Sequence, residues 1–201
     1  AFTYFSNQHV MSADKSPAKM PDIPDDHEQI SLGAGCFWCI EACFSDVEGI
    51  LDVYPGYAGG TSSSANYHDV CSGSTAHAEV ARISYDSDKI SFEKLLELFW
   101  FVHDPTQLNR QGNDVGSHYR SVIFFHTETQ KQLAEFYKQK QNDSKVWDKP
   151  VVTEISMLPE FYPAEDYHKN YLKLNPQNPY CQAIIRPKVE AFKKIFDHLM
   201  K

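Results

Sequence analysis

The stretch Gln29-Ile30-Ser31-Leu32-Gly33-Ala34-Gly35-Cys36-Phe37-Trp38-Cys39 decides how the chain is read. Gln29 to Leu32 alternates polar and apolar residues as a short strand does, whereas Phe37, Ile40, Phe44 and Val47 recur at the three- and four-residue spacing of a helix. The glycines between them therefore turn a strand into a helix, with Cys36 at the helix N-terminus. Unpaired N–H groups and the helix dipole favour an anion there, so the Cys36 thiol is expected to titrate below its ordinary ~8.5. Read as packing alone, the same residues are a buried cysteine beside two core aromatics. The CxxC spacing of Cys36 and Cys39 also admits a redox pair.

The 201 residues suffice for one domain with a substantial core, and nothing in them requires two. No apolar run approaches the ~20 residues of a membrane span, so a soluble, membrane-free protein is expected. A net charge of −8 argues against nucleic acid or an anionic membrane as partner, because such partners need a basic footprint. Five cysteines, at positions 36, 39, 43, 71 and 181, form an odd set that suits catalytic or redox use better than a disulfide scaffold. The segment from Ala1 lacks the basic start and apolar run of a signal peptide. The compartment stays open: a cytoplasmic location is the default, and an exported, processed form fits the Ala1 start.

Residues 1–26 are polar and carry Pro17, Pro21 and Pro24 without a sustained period, so an extended arm is expected there. Beyond the Cys36 helix, residues 49–54 read as a strand and Pro55 to Ser64 as a loop. Its glycines lack both a P-loop Lys-Ser/Thr ending and GxGxxG spacing, and are read as a turn. Residues 76–85 alternate as a half-buried strand, Ala78 and Val80 opposite His77 and Glu79. Ser91 caps a helix with Phe92, Leu95, Leu96, Phe99 and Val102 on one face. A long polar loop, 104–119, precedes a strand at 120–126, and loops of that length are usually functional or disordered. A helix at 127–141, a strand at 150–156, an aromatic loop Phe161-Tyr162-Pro163 and a short helix at 166–173 follow. Cys181 lies in a coil of turn formers, and Pro187 begins a last amphipathic helix. Strands mixed with helices predict an α+β fold, an α/β two-layer sandwich with a mixed β-sheet, packed helices and a long coil on the C-terminal side.

A thiolate flanked by Phe37 and Trp38 has an apolar wall beside the nucleophile, suited to a small apolar substituent on the atom attacked. Tyr57, Tyr67, Glu79, Asp114, His118 and Tyr119 are the polar candidates that could supply protons and hydrogen bonds. Zinc is not expected, since there is no second CxxC and no His-x3-5-His pair. A Cys-His hydrolase would find its base in His77, His118 or His168, none of which carries a local signature.

Gly35-Cys36-Phe37-Trp38, Gly56-Tyr57-Ala58-Gly59-Gly60, Tyr67-x-x-Val70-Cys71-Ser72-Gly73, His77-Ala78-Glu79-Val80, His103-Asp104-Pro105-Thr106, Asn109-Arg110-Gln111-Gly112-x-Asp114-x-Gly116, Tyr119-Arg120-Ser121 and Ala164-Glu165-Asp166-Tyr167-His168 stand in register from about Ile30 to Cys181. In these eight blocks the chain resembles the peptide methionine sulfoxide reductase A family (MsrA). The resemblance implies a ferredoxin-like core and a single catalytic domain over 27–201. It implies a peptide-methionine (S)-S-oxide reductase of oxidised proteins or peptides. Cys36 would attack the sulfoxide sulfur, Phe37 and Trp38, with Gly35 and Tyr57, would form the substrate site, and Glu79 would act as acid. Tyr67 and Tyr119 would be hydrogen-bond donors, and Asp114 would orient the polar side. The resulting sulfenic acid would condense with a second thiol. Cys181 lies near the place where relatives carry a resolving cysteine and is preferred. Cys39 is the alternative, although neighbouring turns of a helix hold Cβ atoms ~5–6 Å apart, wider than a disulfide wants. Thioredoxin would be the electron donor, with no tightly bound cofactor or metal, and a monomer is expected. Exposed aromatics suggest an open, shallow site.

Two other classes remain. A thioredoxin-like CxxC disulfide oxidoreductase would use Cys36 with Cys39 and have no need of Glu79. A non-enzymatic module would bind oxidised methionine against Phe37 and Trp38 without turnover.

Overall fold

The structure, a computed structural model, describes residues 27–201, so the expected arm at 1–26 lies outside the described residues. In chain order the elements are β1 (Glu28–Ala34), α1 (Phe37–Phe44), β2 (Ile50–Ala58), α2 (Tyr67–Cys71), β3 (Ala78–Tyr85) and α3 (Phe92–Val102). A small hairpin, β4 (Arg110–Gln111) with β5 (Asp114–Val115), precedes β6 (Ser121–Phe125). Then come α4 (Glu128–Asp143), β7 (Glu154–Met157), β8 (Phe161–Pro163), α5 (Tyr171–Leu174) and α6 (Arg186–Ile195). Caps set two of the helix starts: Lys94 N–H donates to Ser91 Oγ and Gln130 N–H to Thr127 Oγ1, each at 3.2 Å.

One mixed sheet has the order β7-β6-β1-β3-β2-β8, antiparallel throughout except between β6 and β7. β1 and β2 both run antiparallel to the strand between them, β3, so β1-α1-β2 is a split crossover. With α3 and β6 it completes the ferredoxin-like order expected from the resemblance. The main apolar core lies between this sheet and α1, α3 and α6 and includes Ile30, Leu32, Phe44, Ile83, Leu95 and Phe192.

Four local expectations are corrected. β3 is buried on both faces, not half-buried, because it is a central strand. Ala78 and Val80 join a second small cluster with Val122, Phe124 and Phe161, while Glu79, Ala81 and Ile83 point to the helices. β2 continues through Pro55 and Gly56 to Ala58, where a loop was expected, and Phe161-Tyr162-Pro163 is its edge partner β8. Ala164 N–H donates to the Pro55 carbonyl at 3.0 Å, so the proline nitrogen faces the β8 edge and costs the β3 ladder no bond. Gly56 allows β8 to approach: a Cβ there would lie 2.4 Å from the Phe161 ring and 2.5 Å from the Tyr162 carbonyl oxygen. Finally, Cys181 is not in coil but opens a wide helical turn, Cys181–Ile185, that runs directly into α6.

Candidate active site

The turn after β1 needs Gly35, whose φ of +86° is in the left-handed region and whose Cβ would meet the Gln111 side chain at 2.8 Å. Cys36 follows as the N-cap of α1, in extended conformation, and its side chain caps no N–H. The first helical N–H, that of Phe37, donates instead to Glu79 Oε2 at 3.1 Å. The anion position assigned to the Cys36 thiolate is thus occupied by a carboxyl from β3. Burial, then the hydrogen bond and charge of Cys39, then Glu79, push the Cys36 thiol well above the usual range. The expected acidic thiol is therefore corrected: burial holds Cys36 as a thiol. Cys39 moves the other way, lowered by the hydrogen bond from Cys36 and by the Lys188 cation.

Glu79 is 1% exposed, and burial raises its pKa to about 8 despite the Phe37 N–H, so it is protonated at neutral pH. Its other oxygen, Oε1, lies 4.0 Å from Cys71 Sγ. Cys71 itself is half-buried, not buried as a structural cysteine would be. The Tyr67 and Tyr119 hydroxyls feel Glu79 and Cys36, and burial raises both far beyond neutral pH, leaving them as uncharged donors. Asp114, on β5, accepts from the Tyr180 hydroxyl at 2.6 Å. A cavity of about 460 Å³ is lined by Cys36, Cys39, Gln111, Asp114, Tyr180 and Lys188.

Phe37 is fully buried and Trp38 half-buried, so the aromatics are not laid open in a shallow site as expected. Trp38 stacks on Tyr171 with centroids 3.7 Å apart and planes 5° from parallel, and its Nε1–H donates to His168 Nδ1 at 3.1 Å. Tyr57 stands behind this wall, 5.8 Å from the Phe37 ring, with its hydroxyl donating to Glu165 Oε2. Tyr57 and Phe37 are both 0% exposed, and Tyr57, Phe37 and Trp38 all lie outside the lining of the cavity. The hydrolase reading loses its bases: His168 serves Trp38, His77 accepts from Gly60 N–H, and buried His118 packs on Tyr119 at 4.0 Å. Among the described residues no group of three or more His, Cys, Asp or Glu could hold a metal ion.

The structure thus brings Cys36, Glu79, Tyr67 and Tyr119 together, and of these only Cys36 shares the lining of the cavity with Asp114. Cys181 is 0% exposed and does not line that cavity, whereas Cys39 does. Sequence reasoning considered His168 only as a hydrolase base and assigned no role to Glu165, Tyr171, Tyr180 or Lys188. The Ala164–His168 block was the available signal for His168 and Glu165.

A family model described as peptide methionine sulfoxide reductase matches residues 28–199. The peptide methionine sulfoxide reductase MsrA of Natronomonas pharaonis is 50% identical over 166 residues, covering 83% of this chain and 93% of that one. Among solved structures, reduced Mxr1 of Saccharomyces cerevisiae superposes with a TM-score of 0.72 at 36% identity, over 79% of this chain and 91% of that one. The same yeast protein in complex with Trx2 shares the fold, with a TM-score of 0.52 at 24% identity over 75% of this chain and 89% of that one.

Proposed function

This chain belongs to the peptide methionine sulfoxide reductase A family, and from that premise we propose how its own residues carry out the reduction. It is an oxidoreductase that returns methionine sulfoxide in peptides to methionine. The observation that carries the residue assignment is the hydrogen bond from Phe37 N–H to Glu79, which holds a protonated carboxyl at the start of α1, next to Cys36.

In the proposed reaction the S-methyl group enters against Phe37 and Trp38, and the sulfoxide oxygen points toward Glu79 and the Tyr67 and Tyr119 hydroxyls. A sulfoxide sulfur is a poor electrophile until its oxygen is hydrogen-bonded or protonated. Glu79 gives its proton to that oxygen as the Cys36 sulfur attacks the sulfoxide sulfur, and Cys36 releases its own proton to the carboxylate formed. In the adduct so formed the hydroxyl passes from the methionine sulfur to the Cys36 sulfur: the methionine sulfur–oxygen bond and the new sulfur–sulfur bond break, a bond from Cys36 sulfur to oxygen forms, and the thioether leaves with one electron pair, so that Cys36 is left as a sulfenic acid. A raised Cys36 thiol is compatible with this sequence, because the acid and the nucleophile exchange protons within one buried cluster. Asp114 orients the polar side of the cavity. A fixed methyl wall opposite a fixed oxygen site selects the S epimer.

A second thiol then attacks the sulfenic sulfur, water leaves and a disulfide forms. We assign this step to Cys181. The wide turn it opens is a weaker hydrogen-bonded form than an α-helix and follows a run of turn formers, so it can unwind locally. Cys39 is the competing candidate, as it lines the same cavity, but using it would distort the α1 turn that carries Phe37 and Trp38. Thioredoxin is proposed to reduce the disulfide; yeast Mxr1 is known in complex with Trx2. Residues 27–201 are taken as the one catalytic domain, acting as a monomer.

The test is thioredoxin-coupled reduction of the two sulfoxide epimers of a methionine peptide by wild type and Cys36→Ser. Turnover of the S epimer alone, abolished in the variant, is expected. Equal turnover of both epimers, or activity surviving in the variant, overturns the assignment, and binding without turnover would favour the non-enzymatic module.

A further inference from the structure

Glu165 is buried, at 8% exposure, and has no part in the reaction described above. The groups that come within 3.6 Å of its carboxyl oxygens are donors. The Tyr57 hydroxyl donates to Oε2 at 2.8 Å and the Tyr67 N–H to Oε1 at 2.9 Å. His168 Nε2 lies 3.6 Å from Oε2, just beyond hydrogen-bond length. The His168 tautomer follows from its other side: Nδ1 accepts from the Trp38 indole, so the proton of the ring is on Nε2, toward Glu165. Burial lowers His168 to about 3, which keeps the ring neutral and this tautomer in place.

The three donors belong to different parts of the site. Tyr57 packs behind Phe37, and His168 holds Trp38 and lies 5.0 Å from the Phe37 ring. The Tyr67 N–H opens α2, the helix that carries the Tyr67 hydroxyl. We propose that Glu165 is a positioning residue for sulfoxide reduction, setting the spacing between the Phe37–Trp38 methyl wall and the Tyr67 oxygen donor. The proposal rests on the assignment of those two subsites above. Only an acceptor-only group suits three converging donors. In Glu165→Gln the amide oxygen can keep the Tyr67 N–H, and the amide nitrogen can donate to a turned Tyr57 hydroxyl, but that N–H then opposes the N–H of His168. The loss should therefore fall on the Trp38 side. Glu165→Asp keeps the acceptor character on a shorter stem.

The experiment compares Glu165→Gln and Glu165→Asp with wild type, each checked for native circular dichroism. It measures single-turnover oxidation of Cys36 by an S-sulfoxide peptide, and acrylamide quenching of Trp38 fluorescence in a Trp100→Phe, Trp147→Phe background. Misplacement of a binding wall predicts for Glu165→Gln a rise of roughly 10-fold in the half-saturating peptide concentration, with the saturated rate within about 3-fold of wild type. Trp38 should become more accessible to quencher, and Glu165→Asp should fall between the two. Wild-type half-saturation and quenching in folded Glu165→Gln overturn the proposal, as does a fall in saturated rate at unchanged half-saturation, which would place Glu165 in the chemistry. Should Glu165→Gln fail to fold, Glu165→Asp carries the same test: unchanged half-saturation and quenching overturn the proposal. Quenching reads the wall without turnover, so inactivity of wild type toward the peptide would count against the functional reading and leave this test standing.

Discussion

Glu79→Gln should make the protein more stable at neutral pH while removing its activity. Burial holds the Glu79 pKa at about 8 in the folded chain against 4.5 for the free side chain. The unfolded chain therefore ionises Glu79 first. With a folded pKa raised above the unfolded one, the stability associated with the group is fully present below the unfolded value. It is lost as pH rises toward the folded one. At one pKa unit to 1.36 kcal/mol, holding the proton at pH 7 costs the wild type about 3 kcal/mol, and the cost grows by about 3 to 4 kcal/mol between pH 5 and pH 8. Glutamine has nearly the shape of protonated glutamate, and its carbonyl can accept the same Phe37 N–H, so the variant should escape that cost. The assay is urea unfolding of both proteins, under reductant, at several pH values from 5 to 8. Other titrating groups are common to the two proteins and largely cancel in the difference. The two stabilities should nearly coincide at acid pH and diverge steadily above it. A difference that stays constant from pH 5 to 8 would refute the protonated Glu79, and with it the acid role. Reduction of sulfoxide by the same variant should drop about 100-fold or more, the scale of a lost general acid. A CxxC disulfide oxidoreductase would show no such loss.

Further outcomes follow from the same geometry. Wild-type single-turnover oxidation of Cys36 should decline as pH rises through about 8, with Glu79 losing the proton it must donate, and a profile still rising there would contradict the assignment. Gly56→Ala drives a Cβ to 2.4 Å from the Phe161 ring and should destabilise the fold by about 1–3 kcal/mol in urea unfolding, the scale of core overpacking. Tyr180→Phe removes the 2.6 Å bond to Asp114, next to Cys181; about 1–2 kcal/mol of stability should go, and Cys181 should alkylate faster in the native protein. Peptide mapping after excess sulfoxide without reductant should find Cys36 joined to Cys181 in both wild type and Cys39→Ser, whereas a Cys36–Cys39 bridge in wild type would reassign the step.

The sequence by itself determined the local grammar: where the Cys36 helix begins, that Ser91 caps α3, and which apolar stripes become core. Spacing of apolar residues is a property of neighbours along the chain, so it is legible without the fold. The eight blocks in register likewise singled out Cys36, Glu79, Tyr67, Tyr119 and Asp114 before any distance was known. What only the tertiary structure decided depends on partners far apart in the chain. Edge strand β8 has no period to announce it, and three residues become a strand only because Gly56 lets them pair. Alternation in β3 gave two faces but not that both would be covered, or that Glu79 would turn to the helices. Most consequentially, the first N–H of α1 goes to a carboxyl 42 residues away, and Trp38 is held by a histidine 130 residues away. A helix start alone predicts an acidic thiol at Cys36. Burial of the turn, and after it the neighbouring Cys39, invert that prediction and raise the Cys36 thiol, because both depend on what the fold packs around the helix start.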